Sequence, residues 1–242
     1  MIRKLKYIVT FFCCLFVTQE GQAQNEKTKD LLKKVQQAYE NTKQYQIAVT
    51  YNMHRGFSGN NITESYQGTM VKNGKFSQFK ALNSEIIQFP RIQLTIDHTE
   101  KVARYAKTEK GATVPNSPLD VANFLKFYDK TIVTEREGIL VCEMVATKVN
   151  MQNPYAKVVL HVDKKTYRIE KQELFFTAMI PFVESDGKTR KMDVGRLVIL
   201  MDFKETEEQA EPTPNDFIVL SGKDDISLTE QYQGYRLINL AH

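Results

Sequence analysis

Apolar residues Leu31, Leu32, Val35, Ala38 and Tyr39 recur three and four positions apart with Lys, Gln and Glu between them, and this spacing predicts an amphipathic helix over 27–41. The period then changes to two. Ile47, Val49, Tyr51 and Met53 alternate with Gln46, Ala48, Thr50 and Asn52, the mark of a half-buried strand. An extended pattern resumes over 66–71 and stops at Asn73-Gly74, the pair favoured in tight type I′ hairpin turns, after which Phe76 and Phe79 lie on a return strand. Ile92, Leu94 and Ile96 alternate, a turn falls near 97–101, and another strand begins at Val102. Connections this short require antiparallel pairing.

Ser117-Pro118-Leu119-Asp120 combines an N-cap, a proline at the first helical position and an early acid, so a second helix is expected from there through Lys130. It carries Leu119, Val121, Ala122, Phe124, Leu125 and Tyr128 as a wide apolar stripe. Segments 132–135 and 139–149 form the next hairpin, about Glu137-Gly138. The clearest hairpin follows at 155–176. Ala156, Val158, Leu160 and Val162 share one side and Lys157 and His161 the other, Asp163-Lys164-Lys165-Thr166 forms the turn, and on the return Tyr167 and Ile169 oppose Arg168, Glu170 and Gln172. Segment 180–195 reads as an ordered excursion or a mobile loop. Residues 196–203 have apolar side chains on both faces and form a central strand. The acidic, proline-bearing stretch 205–215 is a surface loop, and 217–220 with 235–240 close the sheet.

The start of the chain sets the compartment. Arg3, Lys4 and Lys6 precede the run YIVTFFCCLFV, and Gly21 and Ala23 follow two apart, the order of a secretory signal peptide. Cleavage after Ala23 leaves Gln24 first, so residues 1–23 are the signal peptide and 24–242 a single domain. The apolar run is far shorter than the ~20 residues a membrane-spanning helix needs. No other stretch is longer, so the mature chain is expected to be soluble, with no transmembrane segment. Phe11 and Phe12 before Cys13 and Cys14 disfavour a lipid-modified cysteine. Hydrophobic residues make up 42% of the chain, ample for a core, and the net charge of +4 is well mixed, which argues against nucleic acid as a partner. Cys142 alone remains after cleavage, so no intrachain disulfide can form. Its phase with Leu140 and Met144 marks it as a buried small hydrophobe.

With helix, strands, helix and strands in order, the chain resembles the LolA-like family of periplasmic lipoprotein carriers. Three patches carry the likeness: DLLKKVQQAY leading into a strand, Gly68-Thr69-Met70-Val71-Lys72, and the hairpin VVLHVDKKTYRIEKQEL; Asp97 to Tyr105 is also similar to a family turn. The resemblance implies an α+β fold in which a single strongly curved antiparallel sheet, a half-open barrel, wraps over a few helices and encloses an apolar cavity, in a periplasmic protein of the cell envelope. Carriers of this family tend to have an arginine after the Val-Lys pair, where this chain has Asn73, and a proline where its turn reads Asn-Gly.

No complete set of catalytic residues appears. His54, His98 and His161 form no close-spaced ligand pair and read as surface histidines, Gly56-Phe57-Ser58-Gly59 lacks the spacing of a nucleophile elbow, and Glu205, Glu207 and Glu208 read as solvated. A non-enzyme without metal or cofactor is expected. The physical opening for a ligand is apolar volume lined by Ile47, Val49, Tyr51, Met70, Ile92, Leu94 and Ile96 from strands and by Phe124 and Leu125 from the second helix. The expected occupant is an acyl chain, lipid or lipoprotein. The alternative is an envelope interaction or sensor module with a packed interior and a surface, such as 180–195, that binds another protein. An esterase or metal hydrolase ranks third.

Overall fold

The computed structural model describes residues 25–108, 125–148, 153–204, 206, 209–221 and 225–240. Helix α1 spans residues 25–41. The strands are β1 (Gln44–Arg55), β2 (Ile62–Asn73), β3 (Phe76–Ala81), β4 (Ser84–Phe89), β5 (Ile92–Asp97), β6 (Val102–Lys107), β7 (Lys130–Arg136), β8 (Ile139–Val145), β9 (Tyr155–Asp163) and β10 (Ile169–Phe176). They continue with β11 (Ile180–Val183), β12 (Arg190–Asp193), β13 (Gly195–Lys204), β14 (Ile218–Leu220), β15 (Ile226–Leu228) and β16 (Arg236–Asn239). Twelve strands hydrogen-bond in the order β16-β6-β5-β4-β3-β2-β1-β13-β10-β9-β8-β7, and β11-β12 and β14-β15 form two-stranded sheets of their own.

The expected large antiparallel sheet with a leading helix is therefore present. Several expectations need correction. β4 was not read from the sequence. β16 joins the sheet parallel to β6, Arg236 opposite Val102 and Asn239 opposite Tyr105, so 235–240 breaks the antiparallel rule; 217–220 pairs with β15, outside the main sheet. The Asn73-Gly74 turn is not type I′. Asn73 pairs with Phe76 as the last residue of β2, leaving Gly74-Lys75 as the turn, and only Gly74 has positive φ, at 58°. A positive φ at the first central residue alone is the type II′ pattern. The second helix lies outside the described residues as far as Phe124. Its expected end instead forms a 3-10 turn at Leu125–Phe127, and Lys130 already opens β7.

The chain divides into two compact units: Met1–Ala38, Met53–Thr63 and Leu119–Val198 in the first, and Tyr39–Asn52, Glu64–Pro118 and Ile199–His242 in the second. In the first unit α1 buries Thr28, Leu31, Leu32 and Val35, the face its periodicity marks. Thr28 donates to Thr131 Oγ1 at 2.9 Å, and that hydroxyl donates to Asn25 Oδ1 at 2.9 Å, tying the helix to β7. Cys142, Met144, Val158, Leu160 and Val162 are buried on facing register positions of β8 and β9. At the tip of the β9-β10 hairpin Asp163 Oδ1 accepts from the backbone N–H of Lys165 at 3.0 Å and of Thr166 at 2.6 Å. Tyr167 sits in the turn at φ 55°, outside the return strand. A register shift between Ile169 and Lys171 then inserts a residue, so Gln172 pairs with Leu160 and is buried, not placed on the watered face. That is the usual consequence of a β-bulge.

Cys142 is shielded on every side, and burial pushes its thiol up to about 11. In a Cys13→Ser/Cys14→Ser background, thiol labelling of native protein should be slow and become rapid only in denaturant, because the reactive thiolate is scarce and covered. Fast stoichiometric labelling of the native protein would mean that the phase of β8 is reversed.

In the second unit Lys72 is buried at the end of α1. Its Nζ donates to the carbonyls of Tyr39 at 2.9 Å and Glu40 at 3.2 Å, a cation on the helix C-terminus where the dipole is negative. Leu94 and Ile96 pack with Phe76, Ile87, Phe89, Tyr105, Phe217 and Ile218 in one core cluster. Phe76 stacks on Phe217 with ring centroids 5.8 Å apart.

Candidate functional site

The end of β4, the start of β5, Lys75 in the β2-β3 turn and segment 211–214 build an apolar groove in the second unit. Phe89 ends β4, Pro90 and Arg91 form the turn, and Ile92 opens β5. The opposite wall is 211–214, a stretch that local sequence marks only as loop. It is fixed there by polar contacts: Asn73 Nδ2 donates to the carbonyls of Gln209 at 3.2 Å and Ala210 at 3.0 Å, and Glu211 Oε1 accepts from the Lys75 N–H at 2.6 Å. Gly74 suits this position because its φ of 58° lies in the left-handed region, and a Cβ there would push the Glu211 carboxylate aside. Thr213 and Asp216 then close a capping box with Pro214 between them. The resulting volume is about 540 Å³, with Phe89, Ile92, Pro90, Pro212 and Pro214 as apolar lining and Lys75, Arg91, Glu211 and Thr213 as its polar groups.

Two further concavities are more polar. One of about 490 Å³ includes Ser227, Thr229, Glu230 and Gln233. The other, about 530 Å³ on the β7-β9 face, includes Arg136, Glu137, Glu143 and His161.

Of the residues proposed from sequence to line a ligand chamber, Ile92 borders the groove. Leu94 and Ile96 stand with Phe89 in the packed cluster. Ile47 and Val49 are buried, and Tyr51 and Met70 are half-buried, Tyr51 lying 3.4 Å from where a Cβ on Gly68 would sit. Leu125 is half-buried in the first unit, and Phe124 lies outside the described residues. Phe89, Arg91, Lys75 and the 211–214 wall were not foreseen. The Phe-Pro and Pro-Thr-Pro dipeptide signals mark turns, but nothing local brings positions so distant in sequence together.

A polar cluster lies in the first unit. Glu173 accepts from His161 Nε2 at 3.1 Å and Lys171 Nζ at 2.9 Å, with Arg196 Nε 3.7 Å away. The His161 hydrogen bond, with Lys171, holds the Glu173 carboxyl down to about 2, although burial opposes this. Such a carboxylate has no proton to give at neutral pH and is a weak base. Arg196 Nη2 donates to the Gly59 carbonyl at 2.6 Å, which draws the 56–61 loop over this face. His54 is thus no surface histidine: only 6% exposed, it is held below its ordinary value by burial and by Arg196. The alternation of β1 reverses at this point, where His54 lies in the field of Arg196 and Glu173. His98 belongs to the second unit, between Glu85 Oε2 at 3.2 Å and Tyr235 Oη at 2.8 Å. Among the described residues no three His, Cys, Asp or Glu gather as metal ligands, and no helix is long and apolar enough to cross a membrane.

No family model and no curated protein matches the chain. Solved structures do. The chain is similar to a LolA superfamily protein from Nitrosomonas europaea at 15% identity, over 74% of this chain and 94% of that one, with a TM-score of 0.31. A putative outer membrane lipoprotein-sorting protein domain from Vibrio parahaemolyticus is 13% identical over 79% of this chain and 96% of its own, with a TM-score of 0.36. MucB, in its complex with MucA from Pseudomonas aeruginosa, is 14% identical over 78% of this chain and 60% of the matched chain, at 0.36. At these identities and TM-scores the likenesses carry no ligand, partner or role to this chain.

Proposed function

We propose that this is an exported, non-enzymatic binding protein that shelters an acyl chain or another apolar moiety. The observation that carries this reading is the groove of about 540 Å³ floored by Phe89 and Ile92 and walled by prolines. Its size falls within the roughly 300–1,000 Å³ of small-ligand sites, and apolar lining with few polar groups is their usual make-up. Each methylene buried there contributes about 0.8 kcal/mol, so part of one chain gives useful affinity without a dedicated polar contact. The proposal includes periplasmic location, removal of residues 1–23 and a sheet curved as a half-open barrel. Leu94 and Ile96 share the core cluster of Phe89 behind the floor, and a part for Ile47, Val49, Tyr51 and Met70 in sheltering the cargo belongs to the proposal. A lipid or lipoprotein is the class of cargo.

Titration with a fluorescent fatty acid tests the reading. Wild-type protein should bind saturably, and Ile92→Glu, which puts a charge on the groove floor, should weaken binding at least tenfold, an order-of-magnitude figure for burying an unpaired charge. Uptake that survives Ile92→Glu but is lost in Leu94→Phe would move the ligand from the groove into the core. The second reading, an interaction module with a packed interior, is favoured by the complete burial of Ile47, Val49, Leu94 and Ile96. Absence of saturable binding across several chain lengths would decide for it.

A further inference from the structure

The β11-β12 hairpin leaves the main sheet after β10 and returns to it at β13, and its two faces differ. Ile180 and Phe182 turn inward against the backbone of Gly195, where a Cβ would lie 2.6 Å from Ile180 Cδ1 and 2.9 Å from Phe182 Cζ. Pro181 pairs with Met192 and Val183 with Arg190, so these four share the outward face. Val183 is 50% and Met192 55% exposed, and Met179 just before the hairpin is 60% exposed.

Charge on the hairpin is sorted in the same way. All three acids are engaged internally. Glu184 Oε1 accepts from Arg55 Nη1 at 3.0 Å and Asp193 Oδ2 from Arg55 Nε at 2.9 Å, while the Arg55 guanidinium lies over the Phe182 ring. Asp186 accepts from the backbone N–H of Lys188 at 2.9 Å and of Thr189 at 2.8 Å, and from the Thr189 hydroxyl. Lys188, Arg190 and Lys191 are exposed and form no ion pair among the described residues. Arg190 shares the outward face with Val183 and Met192, and Lys188 is exposed in the adjoining turn; Lys191, paired with Phe182, is exposed on the opposite face and adds only to the positive field of the hairpin. Two cations beside Val183 and Met192 match a surface that is anionic at its face and apolar just beneath.

We propose that the β11-β12 hairpin docks this protein on an anionic phospholipid bilayer, with Lys188 and Arg190 on the lipid phosphates, Val183 and Met192 in the headgroup region, and Lys191 adding longer-range attraction. Basic residues near such a surface each add attraction that salt screens, and shallow apolar insertion adds the rest. The inference stands independently of the groove.

The chain contains no tryptophan, so Val183→Trp gives a single local reporter. Its emission should shift to the blue on addition of vesicles of phosphatidylcholine doped with phosphatidylglycerol, not with phosphatidylcholine alone, and the shift should fade as salt is raised. Lys188→Gln/Arg190→Gln/Lys191→Gln in the same background should weaken the response roughly 100-fold. Met192→Trp should report the same contact, and Ile132→Trp, exposed elsewhere in the same unit, should report none. Fatty-acid uptake should be unchanged in the triple variant, which separates this test from that of the groove. The proposal is overturned if both hairpin reporters stay silent with anionic vesicles at low salt, as they would if the hairpin binds only protein, or if the triple variant responds like its parent.

Discussion

Leu94→Ala is expected to cost about 2–5 kcal/mol of folding stability, the range for deleting a large aliphatic side chain from a packed interior. Leu94 has no exposed surface, and across the sheet it lies between Ile87 of β4 and Tyr105 of β6. The same cluster receives Phe217 and Ile218 from the far end of the sequence, so a void at Leu94 loosens contacts that no neighbouring strand can restore. Leu94→Phe should cost less, about 1–3 kcal/mol, through overpacking. Urea melts measure both. An Ala variant within experimental error of wild type would mean that the cluster collapses into the space or was not close-packed.

Acid should destabilise the protein through Glu173, and Glu173→Gln should remove that component. The folded carboxyl lies at about 2 against its ordinary 4.5, chiefly because of the His161 hydrogen bond and then Lys171. Between these values the unfolded chain binds the proton more tightly, so the stabilisation is complete above about pH 4.5 and is lost as the pH falls toward 2. At ~1.4 kcal/mol per unit it is on the order of 3 kcal/mol. His54 acts in the same direction at higher pH: its folded value is depressed, so its contribution is present above 6.5 and declines below it. Melts of wild type and Glu173→Gln from neutral pH down to about 2 should converge at the acid end. Parallel curves, with the same loss in both proteins, would sink the assignment.

Much of this fold is legible in local patterns. The three- and four-residue spacing of Leu31, Leu32 and Val35 marks the buried face of α1, because a helix returns to the same side every 3.6 residues or so. Alternation of Ile47 and Val49, and of Leu94 and Ile96, marks the buried faces of β1 and β5 in the same way. β4 escaped because its inward positions are Glu85, Ile87 and Phe89, and a carboxylate in that series breaks the apolar pattern. Glu85 is tolerated inside because Gln78 Nε2 donates to it at 2.5 Å and His98 and Tyr232 reach it from other elements. The candidate groove was legible only at Ile92. Its other wall depends on Asn73, Lys75 and Glu211 meeting across 136 positions or more, as the spacings from Asn73 to Gln209 and from Lys75 to Glu211 record.

Sequence by itself thus determined the elements whose buried side is apolar, since burial of hydrocarbon is set by residue type and period. Tertiary structure alone decided where polar groups go inside. His54, Glu85, Gln172 and Arg196 are buried against local expectation, three of them on strands whose phase would otherwise place them in water or leave the strand unseen. The cost of burying such a group is met only by a specific donor, acceptor or opposite charge. For Glu85 and Arg196 such partners come from other segments, Tyr232 and the Gly59 carbonyl among them, while His54 Nδ1 and Gln172 Nε2 have no hydrogen-bond partner among the described residues; local periodicity records neither outcome.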